Sequence, residues 1–148
     1  MDEADLQVFI DGVTNYFSQT TNEAAVVGTP YLIENQTSVA SEFTGIIGIS
    51  GRRRGSVCFT APSQMLTTLL ERIGESDRSR ENMCDLVGEV ANTLSGNARR
   101  EFGKEFMISV PVVIQGTPER MQASGKVHSF VIPINWSNSD AHLVISLE

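Results

Sequence analysis

The longest helical pattern in the chain, from Asn82 to about Gly103, is set between two groups of Val- and Ile-rich runs, and this order limits the possible folds more than any other feature. Before it, Ser41 to Ser50 and Ser56 to Ala61 are divided by Gly51-Arg52-Arg53-Arg54-Gly55, the pattern of a hairpin with a solvated basic tip. After it, Phe106 to Ile114, Met121 to Ile134 and Ala141 to Leu147 are divided by the turn signals Gly116-Thr117-Pro118 and Ser137-Asn138-Ser139-Asp140. Two further helices are expected. Leu6, Phe9, Ile10, Val13 and Phe17 fall at helical spacing behind an acidic opening, predicting a helix from about Asp2 to Ser18. Pro62 opens a short one, with Met65, Leu66, Leu69, Leu70 and Ile73 as its apolar stripe until Gly74. A short extended piece is expected near Tyr31 to Glu34. Helix, strands, two helices, strands is an α+β order: an antiparallel or mixed β-sheet packed with about three α-helices, not alternating βαβ units. No internal repeat or linker is visible, and 148 residues suit one domain, 1–148.

The formal net charge of −7 would repel a polyphosphate backbone, so nucleic acid is excluded as a partner. The acidic start and the lack of a run of about 18 apolar residues predict a cytoplasmic protein with no membrane span. Cys58 and Cys84 are not a CxxC pair and read as reduced, buried thiols. Asn35-Gln36-Thr37 is a chance glycosylation sequon in a protein that stays inside the cell. His128 and His142 lack partners at metal-ligand spacing, and Trp136, beside a turn, reads as a surface or interface residue.

Steps of about 100° per residue around the long helix put Val87, Val90, Ala91, Leu94 and Ala98 on a core face. Asp85, Glu89, Asn92, Gly96 and Gly103 then line the opposite side, with a carboxylate and an amide one turn apart. A glycine within a helix costs about 1 kcal/mol against alanine, so Gly96 requires a reason. Either the helix bends or ends near Gly96-Asn97, or a partner's backbone approaches where no Cβ fits.

The segment from Asp85 to Ala98 resembles the signature helix of the CheC, CheX and FliY phosphatases, whose core is Asp or Ser, three residues, Glu, two residues, Asn. Ser109-Val110-Pro111, further on, is similar to that family's Ser-x-Pro strand segment. One Glu-x-x-Asn helix is present, as in CheX-like members; the first helix, with Asp11-Gly12-Val13-Thr14-Asn15-Tyr16, has none. The resemblance implies a phosphatase acting on the aspartyl phosphate of a CheY-like response regulator. Glu89 and Asn92 would be its catalytic residues; Asp85 on the same stripe, and Gly96, whose missing side chain leaves room for a regulator loop, are then expected from their positions to meet the partner. It also implies a homodimer paired through sheet edges exposed near the end of the chain. No cofactor of its own is expected, the Mg2+ belonging to the regulator.

The chemistry suits those residue types. A phosphorylated regulator already surrounds its phosphoryl group with a divalent ion, a lysine and a hydroxyl, so what it lacks is an oriented water. A neutral amide can hold such a water in line, the role expected of Asn92, and a carboxylate one turn earlier can pair with the lysine, the role expected of Glu89. The alternative is a non-catalytic interaction module of the same fold that binds a signalling partner.

Overall fold

The computed structural model describes residues 1–33, 39–116 and 129–148. The Asn35 sequon, His128, Thr117-Pro118 and the start of the run from Met121 lie outside them. In chain order the elements are α1 (Glu3–Thr21), β1 (Val26–Val27), β2 (Tyr31–Ile33), β3 (Phe43–Gly51), β4 (Gly55–Ala61), α2 (Ser63–Arg72), α3 (Arg80–Phe102), β5 (Phe106–Ile108), β6 (Val112–Gln115), β7 (Ser129–Trp136) and β8 (Ser139–Leu147).

Local chemistry sets the helix ends. The Asp2 and Asp5 carboxylates each accept from the other's backbone N–H, a reciprocal cap that starts α1. Ser79 accepts from the Asn82 N–H to start α3, and Gly103 ends it with φ of 97°, a region open to glycine. Pro62 is the residue before α2, where its missing N–H costs nothing.

The sheet is antiparallel throughout, in the order β1-β7-β8-β4-β3-β5, with β2 further along β7 and β6 further along β3. The run from Phe106 to Ile114, expected as one strand, is broken in two. Ile108 faces Ile49 and Val112 faces Ile46, so Ser109, Val110 and Pro111 bulge out opposite Ile47 and Gly48. Ser109 bridges the gap: its N–H donates to the Gly48 oxygen at 2.9 Å and its Oγ accepts from the Gly48 N–H at 2.8 Å. Pro111, without an N–H, fits where the ladder is interrupted.

A repeat that the sequence hides is plain in the topology. A helix, two short strands parted by a proline break and a long hairpin occur first as α1-β1-β2-β3-β4 and again as α3-β5-β6-β7-β8. Each half lays its short strands on the other half's hairpin: β1 and β2 on β7, β5 and β6 on β3. The break recurs as well, with the Gly28 N–H donating to the Pro133 oxygen at 2.9 Å. Thr29-Pro30-Tyr31-Leu32-Ile33 and Val110-Pro111-Val112-Val113-Ile114 retain only the proline and the isoleucine in common, too little to show as a repeat.

All three helices and alternate residues of one sheet face share a single apolar cluster. Trp136, expected at the surface or an interface, is 1% exposed within it, its Nε1–H donating to the Glu23 backbone oxygen at 3.1 Å and its ring 5.4 Å from that of Phe17. Cys58 is buried as expected, but Cys84 is half-buried. The strands nearest the end of the chain do not form an edge: β8 lies between β4 and β7, and β7 is covered by β1 and β2. Among the described residues the edges of the sheet are β1 with β2 and β5 with β6.

Candidate active site on the long helix

Helix α3 lies unusually close to the sheet at one point. A Cβ on Gly45 of β3 would sit 2.5 Å from the Val87 carbonyl oxygen and 3.1 Å from the Gly88 Cα, so main chain rests on main chain. Gly88 is confined from the side, where a Cβ would sit 3.1 Å from Val113 Cγ2 and 3.4 Å from Pro111 Cβ. Val87, Val90, Ala91, Leu94 and Ala98 are all buried, as the periodicity predicts, and Met83 and Leu86 join them. That contact fixes the rotation of the helix about its axis.

With the inward face fixed, Asp85, Glu89 and Asn92 are exposed, and Gly96 is half-buried. Glu89 and Asn92 stand three residues apart, about 4.5 Å along the axis, on an uninterrupted helix. On one side the stripe is bordered by the bulge carrying Pro111, and α1 packs against the same helix. Burial, and then the Glu89 carboxylate, push the phenol of Tyr16 on α1 up to about 12, so it stays neutral. The Asn92 amide has no hydrogen-bond partner among the described residues. Both its donor and acceptor functions are open.

Gly96 is not a helix end. The helix continues through it to Phe102, and a Cβ there would meet nothing within 4 Å outside the helix's own backbone. Among the described residues neither termination nor packing accounts for the glycine.

Pro111 flanks the site, and Tyr16 of α1 feels the charge of Glu89; neither was assigned to it from sequence. Nothing local marks Tyr16, because that influence depends on α1 packing against α3. Among the described residues no group of three His, Cys, Asp or Glu could hold a metal ion, and none of their helices is long and apolar enough to cross a membrane. His142 is half-buried, and burial lowers its pKa.

These features define a two-layer α+β protein that presents a carboxylate and an amide from an exposed helix face. Residues 43–135 match the family model described as the chemotaxis phosphatase CheX, and the chain belongs to that family. Solved structures share the fold. A CheC-like superfamily protein from Shewanella sp. PV-4 superposes with a TM-score of 0.87 at 24% identity, covering 100% of this chain and 99% of that one. Chemotaxis protein CheX from Desulfovibrio desulfuricans gives 0.85 at 25% identity, covering 98% and 99%. CheX from Borrelia burgdorferi, solved in complex with CheY, BeF3 and Mg2+, gives 0.75 at 17% identity, covering 97% of each chain. The comparison with curated proteins yields no match.

Proposed function

We propose that this chain, acting as one cytoplasmic domain over residues 1–148, accelerates hydrolysis of the aspartyl phosphate on a CheY-like response regulator. Membership of the chemotaxis phosphatase family supports the reaction class, and the CheX from Borrelia burgdorferi solved with CheY supports the kind of partner. The observation that carries the reading is the exposed Glu89 and Asn92 pair on unbroken helix, with nothing from the described chain over it.

In this reading α3 lies across the regulator's phosphorylated pocket. Glu89 pairs with the lysine there, and Asn92 accepts from and donates to a water held in line with the phosphorus-oxygen bond of the acyl phosphate. Water attacks phosphorus, inorganic phosphate leaves, and the regulator's aspartate carboxylate is regenerated. Mg2+, carried by the regulator, offsets the charge on the phosphoryl oxygens. No residue of this chain is a nucleophile. Asp85 and Gly96 meet the regulator on either side of the pair, and the protein acts as a homodimer joined through a sheet edge.

Phosphate release from regulators of the same organism, labelled with acetyl phosphate, tests the mechanism. Asn92→Ala should lose about a hundredfold in rate while keeping nearly all of its affinity, whereas Glu89→Ala should lose affinity too. Wild-type turnover by the Asn92 variant would remove the mechanism.

A further inference from the structure

The stripe that carries Glu89 and Asn92 does not stop at Gly96. Arg99 follows Asn92 by seven residues, which returns it to the same side of the helix about 10 Å further along. Arg99, Arg100 and Lys104 are exposed, and together with Gly96 and Gly103 they line one shallow depression at the end of α3. None of the three cations has an ion pair among the described residues, where the pairs are Arg52 with Glu105, Arg53 with Asp5 and Arg72 with Glu23. The chain as a whole carries −7, so an acidic partner is repelled by most of its surface and attracted here.

We infer that Arg99, Arg100 and Lys104 form a docking patch for an acidic surface of the phosphorylated regulator, next to the phosphorylation pocket rather than inside it. The inference rests on the phosphatase reading and extends it from the reaction to the choice of partner. The Borrelia burgdorferi CheX solved with CheY supports a regulator as the occupant of this face, and the unpaired cations of the patch call for an acidic surface on it. The spacing keeps the cations off the phosphoryl group, since Arg99 starts two turns away from Asn92. Gly96, without a side chain, lies between the pair and the patch, so a partner can rest on both without a barrier. The patch therefore governs encounter and selection among regulators, not the chemical step.

Cations in a last helical turn also interact favourably with the helix dipole, and that purely structural role makes a different prediction. It would alter melting temperature but not the salt dependence of association. The experiment is a titration of a CheY-like receiver domain activated with BeF3 and Mg2+, over a range of NaCl concentrations, beside phosphate release with the acetyl-phosphate-labelled form. Arg99→Glu should weaken binding and raise KM by about tenfold at low salt, leave kcat within about twofold, and flatten the salt dependence. Arg99→Lys should keep most of the affinity, and Lys104→Glu should act in the same direction as Arg99→Glu. If the wild-type chain binds and dephosphorylates the regulator while both charge reversals leave KM and its salt dependence unchanged, the patch is only a helix end. If the wild-type chain neither binds nor accelerates loss of label, the phosphatase reading falls, and the patch with it.

Discussion

At the scale of single residues, Gly96 separates stability from function. Alanine is favoured over glycine within a helix by about 1 kcal/mol, and here the added methyl would touch nothing outside the helix itself. Gly96→Ala should therefore raise the melting temperature by a few degrees, a shift of about 1 kcal/mol in stability, while increasing KM for the phosphorylated regulator. Calorimetry beside phosphate release would check both. A stabilised variant with wild-type KM would mean that the regulator does not approach the helix there. The glycine is unfavourable in the free protein, and the KM of the alanine variant decides whether a partner's close approach is its reason.

At the scale of elements, the seat of α3 on β3 orients the candidate site. Gly45→Ala places a methyl 2.5 Å from the Val87 carbonyl oxygen, and only movement of the helix away from the strand relieves that clash. A loss of about 1–3 kcal/mol is expected in urea unfolding, with lower activity in whatever remains folded, because the stripe turns with its helix. Unchanged unfolding would show that the contact is loose. Much at this scale was legible in the sequence, because the core face from Val87 to Ala98 dictates where Glu89 and Asn92 project, and apolar periodicity is a local signal. What was not legible depends on distant pairing. The break at Ser109 to Pro111 exists because β3 is occupied on one edge by two strands out of step, and the two-residue β1 is too short to carry an alternating pattern. Trp136 sits beside a turn in sequence yet under α1 in space, and no window of neighbouring residues conveys that.

At the scale of the molecule, the repeated layout provides two helices, of which α3 carries a Glu-x-x-Asn sequence and α1 does not. Aligning the two proline breaks places Val8 and Asp11 of α1 where α3 has Glu89 and Asn92, so the first helix has an apolar residue at the carboxylate position and an acid at the amide position. One regulator should bind per chain despite the paired architecture. The β1 and β2 edge lies at the far end of the sheet from β5 and β6, and it exposes Val26 and Leu32. Joining two copies there would leave both stripes open. Sedimentation of the complex with a BeF3-activated regulator should give two chains and two regulators; a second regulator per chain, or a persistently monomeric protein, would contradict this assembly.

Because β1 and β2 complete the second hairpin's sheet while β5 and β6 complete the first's, the two halves hold each other in place whatever their helices display. Substitution should therefore be tolerated unequally in the two layers. Solvent-facing side chains on α1 can change with little effect on stability, whereas the short strands following it cannot be lost, since the other half would lose its border.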